Sequence, residues 1–273
     1  MPSPIPVTMA QPTPSGEGLL SGALPLPAGW ERGGVAFLDP NCLLPVVMGQ
    51  CPTGNDLKPT QRADSAEFRT YSLIMAVECS TLGGLDVAEV ANTELPRTAQ
   101  FALARELLTG AASERDTPAG VDPNPSLVGT ATDLGAAFTS VADALACLES
   151  QLAEANAGRG GVILMPIGFA TQALAERVLW RDGARWRTVT GNPVMISGGF
   201  DGRGPGDTTP PAATDPLYAY ATTAVWAGVG RTDTYGDVAR EVNTAAARAE
   251  QVGLAAFSTC AVFAAASTTA TAC

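Results

Sequence analysis

The sequence contains no histidine and only one lysine, Lys58. Histidine is the usual general base in proteins, and a cysteine or serine nucleophile normally needs a basic partner beside it. No GxSxG sequence is present, and a histidine-free Ser–Lys pair would have to use Lys58. We therefore predict no catalytic residue. An enzyme, such as a Cys or Ser hydrolase, is the weaker alternative.

Metal ligands are also scarce. The six cysteines contain no CxxC pair, and without histidine a tetrahedral zinc site is not expected. We predict no metal site, no cofactor-binding site and no cofactor. We expect buried free thiols at cysteines 42, 51, 79, 147, 260 and 273. Cys42 and Cys51 flank a short loop and could form a disulfide under oxidising conditions.

Charge is low and mainly negative. Charged residues make up 16% of the chain and the formal net charge is −11, which argues against tight non-specific binding to nucleic acid. No apolar run is long enough to predict a transmembrane helix. The segment Met1–Pro27 has seven prolines and no basic residue, so it resembles neither a secretory signal nor a presequence. We expect an extended or disordered arm there.

The clearest long element is a helix over residues 86–109. Asp86 and Glu89 have capping-box spacing, and Gly110 suits the position after a helix C-terminus. Pro96 either kinks this helix or moves its start to about Thr93. Two apolar stripes are predicted on it: Leu95, Ala99, Ala102 and Leu103 form one, and Phe101, Leu107 and Leu108 form the other. Upstream, residues 68–77 favour a strand after the polar segment 51–64, which suggests a long projecting hairpin.

A second helix is predicted from apolar residues spaced alternately four and three apart, and it should pack on a sheet: Leu134, Phe138, Val141, Leu145, Leu148 and Leu152. A loop over 113–130 precedes it. A wholly apolar run over 162–165 indicates a central strand. Further predictions are a helix over 169–180, strands over 186–189, 194–197, 225–229 and 260–265, a strand near Tyr218 and Tyr220, and a flexible loop over 198–216. Residues 238–256 are compatible with either a helix or a strand.

Three segments resemble sequence motifs of one known family: GGVILMPIGFATQAL (160–174), WRTVTGNPVMISGGF (186–200) and AARAEQVGLAAFSTCAVFAA (246–265). These motifs, and the order of the predicted helices, strands and loops, resemble the Hong Kong 97 type of tailed-phage major capsid protein. Encapsulin shells share this fold. The resemblance implies an α+β fold. Its expected parts are an N-terminal arm (1–42), an extended loop (43–85), a spine helix with peripheral domain (86–132), an axial α/β domain (133–216), and peripheral strands with a C-terminal tail (217–273).

The same resemblance implies a structural subunit that self-assembles into an icosahedral head around a phage genome. The implied partners are further copies, as hexamers and pentamers, a separate scaffolding protein, a portal, and packaged double-stranded DNA contacted weakly and non-specifically. No membrane partner is expected. The implied location is the virion capsid, assembled in the host bacterial cytoplasm. The alternatives are an encapsulin-like nanocompartment shell and another virion component, such as a tail or decoration protein.

Some members of this family crosslink their shells through a loop lysine and an asparagine, with help from a glutamate. Lys58 lies in the expected extended loop, and Asn243 and Glu250 are the nearest candidate partners in the C-terminal segment. The reaction needs a neutral amine in an apolar pocket, and nothing near Lys58 predicts such a pocket. We expect a solvated lysine and a shell held together without covalent bonds.

Overall fold

A computed structural model describes residues 18–39, 64–80, 86–111, 123–239 and 244–271. Helices and strands are mixed along these ranges. The helices are α1 (Leu19–Gly22), α2 (Val87–Thr109), α3 (Leu127–Thr130), α4 (Val141–Ala155) and α5 (Ile167–Ala175), with a 3-10 turn at Trp30–Arg32. The strands are β1 (Val35–Asp39), β2 (Asp64–Phe68), β3 (Tyr71–Ser80), β4 (Thr132–Asp133), β5 (Val162–Met165), β6 (Leu179–Asp182), β7 (Arg185–Thr188), β8 (Pro193–Ile196), β9 (Pro216–Thr222), β10 (Val225–Ala239), β11 (Thr244–Phe257) and β12 (Val262–Thr271).

Helix α2 lies across an antiparallel three-stranded sheet in the order β10-β11-β3. Side chains of a strand alternate between the two faces of a sheet. On β11, Ala247 and Ala249 are buried, whereas Arg248 between them is exposed. A Cβ placed on Gly253 would lie 3.2 Å from Cδ2 of Leu103. Small residues on β11 therefore let the helix approach the sheet closely.

The predicted long helix is confirmed. The Asp86 carboxylate accepts hydrogen bonds from the backbone N–H groups of Ala88 and Glu89, and Gly110 ends the helix with φ of 66°. Pro96 lies inside α2, and the helix begins before it rather than near Thr93. The two-stripe prediction was wrong in part. Leu107 and Leu108 join Leu95, Ala99 and Leu103 in one core, and Phe101 is exposed.

A seven-stranded sheet in the order β4-β12-β9-β5-β8-β7-β6 forms the second layer. Its central strand is β5, as the apolar run predicted, and it is parallel to β8 and antiparallel to β9. Leu164 belongs to the core that contains α2, while Ile163 and Met165 belong to the core beneath α4 and α5. The middle of the sheet is therefore buried on both faces, which explains why β5 has no polar position.

Two predicted helices have different limits in the structure. The second helix begins at Val141 because the Ser140 hydroxyl accepts a hydrogen bond from the Asp143 N–H and caps it. Phe138 instead bridges Ser267 at the edge of β12. The third helix ends at Ala175, so Trp180 lies on β6 rather than on a helix.

The structure also decides three predictions about loops and strands. Residues 244–257 form β11, so the ambiguous segment is a strand where it is described. Pairing with both β10 and β3 explains the outcome, since two neighbours satisfy its backbone groups and override the helical preference of alanine. The expected loop over 113–130 contains the short helix α3. The expected flexible loop over 198–216 contains buried residues, among them Phe200 and Arg203.

The N-terminal part is described from Gly18 onward, and it packs on its own chain. Leu19 is completely buried, Leu24 bridges Trp226 on β10, and the ring of Phe37 stacks on Trp226 with centroids 4.3 Å apart. The expectation of an extended or disordered arm was therefore wrong for residues 18–27. Residues 1–17, and most of the predicted hairpin loop at 51–64, lie outside the described residues.

The cysteines depart from the free-thiol expectation at one position. Cys260 is disulfide-bonded. Cys147 is a free, partly buried thiol on α4. Cys42, Cys51 and Cys273 lie outside the described residues, as does the side chain of Cys79. None of the described helices is long and apolar enough to cross a membrane.

Candidate functional surfaces

Of the three residues that a crosslink would use, only Glu250 lies in the described part of the chain. Lys58 and Asn243 lie outside it. Glu250 lies on β11, where its carboxylate forms an ion pair with the guanidinium of Arg248, two residues earlier on the same face of the strand. In ranges 18–39, 64–80, 86–111, 123–239 and 244–271, no group of three His, Cys, Asp or Glu side chains is arranged to hold a metal ion.

Asp201 is a partly buried carboxylate that links two structural elements. The Asp201 carboxylate accepts hydrogen bonds from Arg203, whose Nη2 lies 2.7 Å from Oδ2, and from Arg105 on α2. Burial alone would raise the pKa of Asp201, but the hydrogen bonds from Arg203 and the positive charges of both arginines hold that pKa below its ordinary value. The cluster ties the start of segment 198–216 to α2.

A second carboxylate joins α5 to α4. Glu176, at the end of α5, accepts hydrogen bonds from the N–H groups of Val141 and Ala142 in the first turn of α4. Desolvation raises the pKa of Glu176, but hydrogen bonds from Gln172 and from these N–H groups outweigh it and lower the pKa. An anion at a helix N-terminus also interacts favourably with the helix dipole.

A third carboxylate, Glu149 on α4, binds three side chains of the turn between β7 and β8. Its Oε1 accepts hydrogen bonds from the hydroxyls of Thr188 and Thr190 and from Nδ2 of Asn192, at 2.8 Å for Asn192. The side chains border a cavity of about 460 Å³ beside α4. All donors to Glu149 are neutral, so this arrangement fixes the turn and contains no acid–base pair.

Large apolar side chains are exposed at separate places on the molecule. Ile74 and Tyr235 lie on the face of the three-stranded sheet that α2 leaves uncovered. Trp180 and Val189 lie around the β6–β7 hairpin, and Phe101 lies on α2. Single apolar side chains are common on protein surfaces, so these positions do not by themselves mark an interface.

Sequence reasoning gave no sign of these carboxylate clusters, because their members are far apart along the chain. Asp201 and Arg105 are 96 residues apart, and Glu149 and Asn192 are 43 apart. Only the short spacing of Asp201 and Arg203 offered a local signal, and an i, i+2 charge pair in a Gly-rich loop is too common to interpret. For Phe101, the sequence predicts only membership of an apolar stripe on the helix, not an exposed side chain.

No family model matches the sequence, and no curated protein matches it. Solved structures do match the fold. A chain from Mycobacterium phage Ogopogo is 16% identical, with a TM-score of 0.58 over 98% of this chain and 97% of that one. A chain from the capsid of an empty GTA particle is 14% identical, with a TM-score of 0.54 over 98% and 94%. This chain has a phage-capsid fold. A chain from the capsid of Myoviridae phage XM1, 12% identical, gives a TM-score of 0.50 over 96% and 95%.

The capsid fold includes both described sheets, because the matches cover nearly the whole chain. At such low identity the likeness lies in the arrangement of elements and carries no individual side chain across. The Asp201, Glu176 and Glu149 clusters are therefore read from this chain alone. Each holds one element of the capsid fold against another.

Proposed function

We propose that this chain is the major capsid protein of a tailed bacteriophage, a structural subunit that self-assembles into the head around the genome. The capsid fold over almost the full length supports it most strongly. In a shell, each contact can be modest because many form together.

We propose the Hong Kong 97 type division for this chain. Residues 1–42 form the N-terminal arm, 43–85 the extended loop, and 86–132 the spine helix with its peripheral domain. Residues 133–216 form the axial domain, and 217–273 the peripheral strands and tail. Helix α2 suits the spine, with 23 residues on a sheet of long strands. Strands β9 and β12 of the last segment pair within the seven-stranded sheet, so that segment contributes to both layers.

The partners we propose are further copies of this chain as hexamers and pentamers, a separate scaffolding protein, a portal, and packaged double-stranded DNA contacted weakly. The net charge of −11 fits weak contact with DNA, because phosphate binding needs clustered basic residues. The proposed location is the virion, with assembly in the host cytoplasm. No catalytic step is needed for this role.

Electron microscopy of the full-length chain, expressed alone and together with a scaffolding protein, tests the proposal. We expect closed, near-spherical shells, with hexamers and pentamers visible after image averaging. A monodisperse monomer in both preparations would contradict the shell role. Tubes or rings as the end product would indicate a tail component, and shells that package a protein cargo instead of DNA would indicate a nanocompartment.

A further inference from the structure

The C-terminal end of α4 has negative charge that no cation balances. The helix contains the carboxylates of Asp143, Glu149 and Glu154 and no basic residue. Glu154 lies in the last turn, where the helix dipole disfavours a carboxylate and favours a cation. It is exposed and forms no ion pair in the described part of the chain. A guanidinium from outside would therefore be stabilised at this end of the helix.

An apolar cavity lies beside the same end of α4. It is the cavity of about 460 Å³ described above, and Ser150 and Ala153, the helical neighbours of Glu154, border it. Its walls include Val189, which is 68% exposed. Arg159 also borders the cavity, but it forms no ion pair with any described residue. We name Ser150, Ala153, Glu154 and Val189 the α4 surface.

The β6–β7 hairpin presents basic and aromatic side chains on the other face of the sheet. Leu179 belongs to the core beneath α4, so its neighbour Trp180 points to the opposite face. Trp180 pairs in register with Arg187, and Asp182 pairs with Arg185, which places these four side chains on that face. Trp180 is 45% exposed.

Arg185 is the cation of this face that has no partner. Nε of Arg187 lies 2.8 Å from Oδ2 of Asp182, so those two charges neutralise each other. Arg185 is exposed and forms no ion pair within the described ranges. Trp180 and Arg185 are diagonal neighbours of the hairpin, roughly 7–8 Å apart. We name these two residues the hairpin surface.

The spacing and charge of the two surfaces match. Ser150 and Glu154 lie one helical turn apart, roughly 6 Å, so an indole ring beside Ser150 places a guanidinium at the hairpin spacing near Glu154. The two surfaces lie on opposite faces of the seven-stranded sheet and do not meet within one chain. A second copy supplies the complementary surface, with opposite charge at the matching position.

We propose that the hairpin surface of one copy docks on the α4 surface of the next, with the Trp180 ring against the apolar wall of the cavity and the Arg185 guanidinium paired with Glu154. One face joins the opposite face of the next copy, so the contact is head-to-tail, and a repeated rotation of this kind closes a ring. The proposal names a contact between copies in the proposed shell, so it rests on that role.

Charge reversal tests the ion pair. Sedimentation velocity measures the fraction of full-length protein in multimers for the unmodified chain, Arg185→Glu, Glu154→Arg and the double variant. We expect each single change to lower that fraction about tenfold, because like charges then face each other, and the double variant to regain most of it. Arg231→Glu, at an exposed position of β10, is the matched control and should leave the fraction unchanged.

Photo-crosslinking tests the aromatic contact. With p-benzoylphenylalanine in place of Trp180, irradiation should give a band of twice the monomer mass on a reducing denaturing gel, and mass spectrometry should join position 180 to a peptide of α4. The same probe at Tyr235, which is 60% exposed on the three-stranded sheet, should not crosslink to α4. A product joined only within one chain, or to peptides other than α4, would overturn the proposal.

The other outcomes separate this contact from the shell role. Normal assembly of both single variants would overturn the contact and leave the shell role intact, and so would a loss that the double variant does not reverse. Multimers that depend on the pair but never close into shells under the electron microscope would support the contact and contradict the shell role. An unmodified chain that stays monomeric would contradict both.

Discussion

At the scale of single residues, the Asp201 cluster links charge to stability. The pKa of Asp201 lies below its ordinary value of 3.8 because Arg203 and Arg105 stabilise the charged carboxylate. A carboxyl group whose pKa is lowered on folding stabilises the folded state above its unfolded pKa, and this contribution disappears as the pH falls through the folded pKa. The contribution of Asp201 should therefore be complete near neutral pH and disappear in acid below about pH 4.

Asp201→Asn removes this contribution at every pH. We expect a lower free energy of unfolding than in the unmodified protein at pH 7, with the gap narrowing as the pH falls below about 4. Urea unfolding followed by tryptophan fluorescence between pH 3 and pH 7 measures the gap. Asp233→Asn, on an exposed part of β10, is the matched control and should show little difference. A gap that stayed constant down to the lowest pH would show that Asp201 acts through packing alone.

Leu145 on α4 is the residue on which the helix prediction depends most directly. It is only 3% exposed, whereas Ser150 on the same helix is exposed. An aspartate at position 145 would place an unpaired charge among apolar groups. Such a burial costs roughly 3 kcal/mol or more.

We expect Leu145→Asp to abolish soluble protein and Ser150→Asp to leave it unchanged. Expression of the two variants in parallel, with soluble and insoluble fractions compared on a gel, measures the difference. Similar solubility of the two would mean that the helix is rotated from the orientation described.

At the scale of elements, the contact between α2 and the segment after β8 holds the two layers together. Gly199 lies directly on the helix, since a Cβ there would be 2.3 Å from the carbonyl oxygen of Phe101 and 2.9 Å from the amide nitrogen of Arg105. These are backbone atoms of a regular helix, so they cannot move aside cheaply. Glycine is required here by the close approach and not by its backbone angles.

Gly199→Ala should therefore push α2 away from this segment and lower the free energy of unfolding by about 1–3 kcal/mol. Gly236→Ala, on β10 with nothing within 4 Å of the new Cβ, makes the same chemical change and should have little effect. Thermal unfolding by circular dichroism compares the two variants. An unchanged melting temperature in Gly199→Ala would show that the two layers tolerate a looser contact.

At the scale of the whole molecule, the described start of the chain, residues 18–27, is packed on the subunit itself. Residues 18–27 pack against the rest of the subunit, because Leu19 is fully buried and Leu24 bridges Trp226 on β10. Full burial of one leucine contributes about 1.5–3 kcal/mol. Loss of residues 18–27 should therefore lower the free energy of unfolding of the isolated subunit. Deletion of the whole arm would therefore affect more than assembly.

We expect deletion of residues 1–27 to lower both the soluble yield and the melting temperature, and deletion of residues 1–17 to leave the melting temperature nearly unchanged. Differential scanning calorimetry of the two truncated proteins measures this, and electron microscopy shows separately whether shells form. Equal melting temperatures in both truncations would mean that the contacts of Leu19 and Leu24 add little to stability.

The sequence by itself determined the elements whose signals are local. The capping pair Asp86 and Glu89 with Gly110 defined α2, because capping uses residues within one turn of the helix end. The apolar run over 162–165 predicted β5, since a short run of four apolar residues bounded by Gly and Pro suits a strand buried on both faces. The order of these elements and three short sequence motifs were sufficient to suggest the capsid fold.

Tertiary structure decided whatever depended on distant partners. The start of α4 moved from Leu134 to Val141 because Phe138 pairs with the edge of β12, more than a hundred residues away. Residues 244–257 became a strand because β10 and β3 flank them on both sides. Phe101 is exposed although Ala99 and Leu103, two residues away on either side, are buried, because the sheet covers only one side of α2. Local sequence gives the period of an element and, where a capping residue is present, its end; neighbours in space decide the other ends and which face of the element is buried.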